Sequence, residues 1–276
     1  MNNEITNPVN LVLIIIGLFL GLTLGIFLLI NKSAKNKANT YLGLLILLSI
    51  TYFAPGFLFR FDLLEKFPHV IGTSMAANFL IGPLTYLYVR ACIQKGFEMR
   101  PILWLHFLPF ALAFLYHLPF YLESGPDKIN YFIRFLETGK GVEDTFILER
   151  QIVSFYSIIY FGFAVHLLSQ YKKHLSNMTS SVDRAFYSWI FVFIMIHAIP
   201  VIAAMISFVF TDHGNYTMLI LLLGFFIFSF AVYIAIIVKP ELFHSFPHQM
   251  LIPESTEEKT QKYESSNLQL ERISYD

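Results

Sequence analysis

One cysteine, Cys92, is the only thiol in the chain, so no internal disulfide can form, and no CxxC or CxxxH spacing is present to hold zinc or attach haem. Charge is scarce as well. Only 14% of the 276 residues are Asp, Glu, Lys or Arg, against about a quarter in an ordinary soluble domain. The 19 basic residues balance the 19 acidic ones, which removes the bulk charge that drives binding to nucleic acid. Catalytic signatures are missing too: there is no nucleophile elbow, no phosphate-cradling glycine loop and no HExxH, and the short connections leave no room for a catalytic domain. We read the chain as a non-enzyme with no metal and no cofactor. What is abundant is apolar surface, 56% hydrophobic and 17% aromatic residues with 30 phenylalanines, so lipid is the expected solvent.

A helix needs about 20 apolar residues to cross a hydrocarbon core of about 30 Å, because backbone groups left unpaired in lipid are costly. Seven stretches qualify: Val9 to Ile30, Thr40 to Phe59, Ile71 to Val89, Ile102 to Leu122, Gln151 to Tyr171, Tyr187 to Phe210 and Thr217 to Val238. None contains Asp, Glu, Lys or Arg. The first has no basic residue ahead of it and no small-residue cleavage site after it, so it reads as a retained span rather than a signal peptide. The expected fold is an all-α, polytopic membrane protein, with a seven-helix bundle over residues 1–239 and a cytoplasmic linker or tail over residues 240–276. With the N-terminus outside, 13 of the 19 Lys and Arg fall on the cytoplasmic side, including Lys32, Arg90, Lys172 and Lys239. The expectation is therefore N-out and C-in.

Two connections are long enough to carry added function. In the outer segment Glu123 to Arg150, Ile129, Phe132, Ile133 and Leu136 fall at i, i+3, i+4 and i+7, the spacing of an amphipathic helix lying along the leaflet. Packing is its ordinary role, and covering a pocket is the functional one. The other is the tail after Pro240, a polar Ser, Glu, Lys and Gln stretch of linker composition.

Polar residues inside a membrane are expensive, so each needs a partner. Asn78, His106, His117, His166 and His197 are the ones on offer. A pair of histidines at one depth would suit haem or a proton relay, but no helix carries paired histidines with carboxylates nearby, so bonds between helices are the expected role. Asn78, Tyr116, His117 and Tyr156 lie in the outer halves of the third, fourth and fifth spans, with His197 near the middle of the sixth. Together they are the candidate pocket for an unknown small ligand, although interface belts also collect tyrosine. Pro55, Pro83, Pro109, Pro119 and Pro200 interrupt the spans and are expected to kink them.

Gly82-Pro83-Leu84-Thr85-Tyr86-Leu87-Tyr88-Val89-Arg90, followed by Leu105-His106-Phe107-Leu108-Pro109-Phe110, resembles the N-terminal seven-helix sensor half of bacterial membrane-anchored AraC-type transcriptional regulators. Asn31 to Ala34 is similar to that family's first cytoplasmic loop, the stretch from Tyr171 through Ser180 to Trp189 to its fifth-to-sixth connection, and Lys262 to Ser266 to the start of its linker. The resemblance spans nearly the whole chain. It implies a bundle in the bacterial inner membrane, a multi-pass sensor whose C-terminal linker leads to helix-turn-helix motifs that read DNA as a dimer, and so a possible homodimer here. Gly82, Pro83, Tyr86 and Tyr88 would shape the third helix, Arg90 would anchor it, and His106, Pro109 and Trp189 complete the signature. No helix-turn-helix pattern follows Pro240 in these residues, and Lys239, Lys259, Lys262 and Arg272 stand against seven acids there, so direct DNA binding by them is not expected.

The leading reading is a sensor that couples an outer or intramembrane stimulus to a cytoplasmic output domain or protein through residues 240–276. A stand-alone small transporter, or a scaffold recruiting a partner through the tail, are the alternatives.

Overall fold

Among the described residues, five helical stretches are long and apolar enough to cross a membrane: Lys37–Arg60, Pro68–Ile93, Pro101–Tyr121, Gln151–Lys173 and Arg184–Ala203. They come from a computed structural model that describes residues 8–30, 37–94, 96–138, 144–175, 181–210, 224, 227 and 230–235, and no β-strand occurs among these. The elements are α1 (Pro8–Ile30), α2 (Lys37–Arg60), α3 (Ser74–Ala77), α4 (Ile81–Ile93), α5 (Leu108–Tyr121), α6 (Gly125–Thr138), α7 (Asp144–Leu175) and α8 (Ser181–Phe210). The first expected span, Val9 to Ile30, lies within the 23-residue α1. Most of the seventh span, the tail 240–276 and the loop Asn31 to Ala34 lie outside the described residues.

The third and fourth spans are not single α-helices. The third runs through the 3₁₀ turn Pro68–Val70, the short α3 and a second 3₁₀ turn, Asn78–Leu80, before α4 begins. Pro83 sits in the first turn of α4, where its missing N–H would have no helical partner in any case, so the proline restarts a helix instead of bending one. Pro109 does the same in α5, after the 3₁₀ segment Pro101–Phe107. By contrast α2, α5 and α8 run through Pro55, Pro119 and Pro200 as continuous helices. Gly72 has φ of +87°, and a Cβ there would stand 2.3 Å from the Phe120 ring, so only glycine fits this turn.

Chain order becomes a packing order, with α1 on α2, α2 on α4, α4 on α7 and α7 on α8. α4 is the hub: Leu84, Leu87, Tyr88, Val89, Cys92 and Ile93 are all buried, and they join residues of α1, α2, α7 and α8 in one core cluster. Lipid tails are as apolar as leucine, so apolar burial alone does little to hold helices together in a membrane; close backbone approach and polar bonds matter more. Small residues supply that approach. A Cβ on Gly82 would lie 3.0 Å from Tyr160 Cβ and 3.2 Å from Ser157 Cα of α7. Gly17, Gly21 and Gly25 are buried along one face of α1 at four-residue spacing, and a Cβ on Gly43 of α2 would stand 3.1 Å from the Gly25 carbonyl oxygen.

A Cβ on Gly25 would fall 2.7 Å from the Leu47 side chain. Gly25→Leu is therefore expected to push α1 off α2 and destabilise the bundle by about 1–3 kcal/mol, read as a lowered unfolding midpoint in mild detergent.

Candidate functional site

α5, with the Pro101–Phe107 segment that leads into it, runs antiparallel to α7, and polar contacts join them at two levels. At one level His117 Nε2 lies 2.7 Å from Glu149 Oε1, with the two side chains only 10% and 19% exposed. This is a hydrogen bond when the imidazole is neutral and an ion pair when it is protonated. At the other level His106 Nδ1 lies 2.7 Å from the Tyr160 hydroxyl, while the Tyr156 hydroxyl donates to the His106 carbonyl oxygen at 3.0 Å. The donors balance if Tyr160 gives its proton to a neutral His106. Glu149 precedes Tyr160 by as many residues as His106 precedes His117, which is the registry an antiparallel pair requires. Glu149, Tyr156 and Tyr160 also share a helix face, at i, i+7 and i+11.

α4 carries the second level onward. The Tyr86 ring meets the His106 and Tyr160 rings edge-on, with centroids 5.7 Å and 6.2 Å away. Arg90 Nη1 reaches the Tyr86 hydroxyl at 3.5 Å, its Nε donates to Gln94 Oε1 at 2.8 Å, and its guanidinium lies 5.6 Å from the Phe97 ring centroid. On another side of α4, Tyr88 is fully buried and accepts a hydrogen bond from Trp189 Nε1 of α8 at 3.0 Å. The Tyr88 and Phe193 ring centroids are 4.3 Å apart, and Phe193 continues to His197 at 4.6 Å. One helix thus touches the polar contacts of α5 and α7 and the aromatic row of α8.

The α5–α6 end is closed by α6, which docks on the Pro68–Val70 turn and places Phe132 edge-on to Phe59 of α2 at 5.7 Å. Ile129, Phe132 and Ile133 are half-buried, in keeping with the amphipathic helix expected here; the Leu136 side chain lies outside those described. Lys128, in the outer segment Glu123 to Arg150, is buried. It is 1% exposed, its Nζ donates to the Tyr121 carbonyl oxygen at 2.9 Å and lies 3.0 Å from His69 Nδ1, and the Phe120 ring sits beneath it at 5.6 Å. A buried ammonium is tolerated when carbonyl, imidazole and π-face acceptors replace its water. Tyr121 also accepts the Ala76 backbone N–H at 3.3 Å, which ties α5 to α3. Burial first, then the Glu149 and Glu123 carboxylates, push the Tyr131 phenol above its usual range and keep it neutral at physiological pH.

The residues expected to line one pocket do not meet as a group. His117 is buried against Glu149, and Tyr116 beside it is 64% exposed. Tyr156 belongs to the His106 level. Asn78 is half-buried at the start of the Asn78–Leu80 turn, next to Phe79, whose ring packs on Tyr156 at 5.9 Å. His197 lies on α8, its Nδ1 2.9 Å from the Phe193 carbonyl oxygen of its own helix. The residues carrying the family resemblance do come together: Tyr86 with Arg90 and His106, Tyr88 with Trp189, and Gly82 against α7. Glu149, Tyr160, Lys128 and His69 were not singled out from the sequence, although the shared face of Glu149, Tyr156 and Tyr160 was readable from spacing. Among the described residues no cluster of three or more His, Cys, Asp or Glu is placed to hold a metal ion.

Comparison of the chain with protein-family models, with curated proteins and with solved structures finds no match.

Removing either partner of the His117–Glu149 contact strands the other in a mostly buried site. His117→Gln and Glu149→Gln are each expected to cost about 1–3 kcal/mol. The double variant should cost less than the two singles added together, and unfolding of all four chains in one detergent gives that coupling directly.

Proposed function

We propose that the chain is the membrane-embedded sensor half of a bacterial AraC-type regulator, a seven-span bundle of the inner membrane with its N-terminus outside and residues 240–276 leading to a cytoplasmic DNA-binding output. The observation that carries this reading is the position of α4. Gly82, Pro83, Tyr86, Tyr88 and Arg90 of the family resemblance lie on it, and it meets His106 and Tyr160 through Tyr86 and α8 through Tyr88. In the proposed orientation the α6-covered end faces outward, so a small ligand or other stimulus would act where Lys128, His117 and Glu149 are held.

A stimulus that loosens or tightens this end changes the setting of α5 against α7. The His106–Tyr160 level, between α7 and the segment ahead of α5, would follow, and then α4 and α8, which precede the last span and the tail. Such a relay needs two bundle arrangements within a few kcal/mol of each other and a stimulus that binds one of them better. The half-helical third and fourth spans supply joints at the Asn78–Leu80 and Pro101–Phe107 segments.

Two measurements test the reading. The source DNA past codon 276, or the adjacent gene, is expected to encode a helix-turn-helix output; unrelated sequence in both would remove the regulator assignment. A cytoplasmic reporter fused after Asp276 should be active and an export-dependent one inactive, and the reverse pattern would overturn the orientation.

A further inference from the structure

Lys128, in the first turn of α6, is enclosed from two directions: α5 supplies the Tyr121 carbonyl oxygen and the Phe120 ring, and the Pro68–Val70 turn supplies His69. The Phe120 ring is itself held close over Gly72. α6 rests on the same turn so closely that a Cβ on Gly125 would stand 2.8 Å from Pro68 Cγ. The lysine thus fastens the start of α6 to the end of the bundle, and at 1% exposure its charge has no access to water while α6 stays docked.

Its partner does have that access. His69 is exposed, so solvent protons reach the ring on which Lys128 depends. An ammonium only donates, so the Nδ1 that lies 3.0 Å away must accept, and the ring's own proton then sits on Nε2. Docked in this way, the imidazole has no free lone pair for a second proton. A proton placed on Nδ1 turns the acceptor into a donor and sets two positive charges against each other, one of them buried. Docking of α6 and protonation of His69 therefore exclude each other, and by linkage acid favours the undocked arrangement.

Other ionisable groups stand at this end. Asp62, Glu65 and Lys66, in the connection from α2, are exposed, as is Glu123 between α5 and α6. Asp127 of α6 is also exposed and accepts a hydrogen bond from Ser124 Oγ, and Tyr131, packed on Phe120, stays a neutral phenol. Glu149 of α7 is held by His117 of α5. Protonation of Glu149 would weaken that contact, so a test must separate it from His69.

We propose that the His69–Lys128 pair is an acid-sensitive latch on α6: the neutral imidazole holds the buried ammonium and keeps α6 over the end of the bundle, and protonation of His69 frees Lys128 to solvent and releases α6. The latch requires only the docked geometry of α6 and would stand if the sensor reading fell. Within that reading it makes external acidity the stimulus.

Spin labels on Asn130→Cys of α6 and Leu115→Cys of α5, both exposed positions, report the docking of α6 in the full chain in lipid nanodiscs, while the buried Cys92 stays unlabelled. One interspin distance is expected at about pH 7.5. Towards about pH 5 its population should give way to longer or broader distances, by up to about tenfold per pH unit, the limit for a single proton. His69→Asn keeps an acceptor for Lys128 and takes up no charge, so α6 should stay docked at both pH values. Lys128→Met removes the buried charge and should abolish the acid response as well, whereas Glu149→Gln should retain it. Distances unchanged by acid in the otherwise native chain, an acid response that survives His69→Asn, or one that disappears only with Glu149→Gln would overturn the latch.

Discussion

A helix enclosed on nearly every side must let its neighbours come close, and α4 does so at Gly82. Ser157 and Tyr160 of α7 occupy the space that a side chain at this position would need. Once α7 lies there, Tyr160 can reach His106 and Tyr86 can meet both rings. The Gly82-Pro83 pair therefore serves two purposes: the glycine admits α7, and the proline restarts the helix after the Asn78–Leu80 turn. α4 also packs on α2, which in turn receives α1 through another glycine contact, Gly25 against Gly43.

With apolar packing worth little against lipid, the specific links are polar and aromatic, and they occur at separate levels of the bundle. His117 and Glu149 join α5 to α7 beneath α6; further along, His106 in the segment ahead of α5 meets Tyr156 and Tyr160 of α7. The two levels tie α7 both to α5 and to the Pro101–Phe107 segment that leads into it. The second level meets Tyr86 of α4, and on the same helix Tyr88 accepts a hydrogen bond from Trp189 of α8.

Much of this architecture was legible in the sequence because it follows from runs of apolar residues and from the chemistry of proline and glycine. The five crossing-length stretches and the amphipathic α6 follow from hydropathy and spacing alone. The polar partnerships were not legible in the same way. Ending the fifth span at Gln151 because Arg150 is charged hid Glu149, yet a helix does not stop where the membrane does, and α7 begins at Asp144. Lys128 counts as a solvated charge in any tally of loop residues, and only the docking of α6 reveals that it is buried. Depth within each span could not bring Tyr156 to His106 rather than to His117, since the offset between two helices is a tertiary quantity. The buried Gly17, Gly21 and Gly25 series is a small-residue pattern that spacing alone makes visible.

The central claim is that α4 is the enclosed axis of the bundle, and its one cysteine gives a direct reading. Cys92 should stay unmodified by a membrane-permeant maleimide in mild detergent at a rate set by global unfolding, and it should react fully once the chain is unfolded in dodecyl sulfate. Gly82→Leu should raise the native-state labelling rate by driving α7 away. Rapid modification of Cys92 in the folded protein, unaffected by Gly82→Leu, would contradict the account.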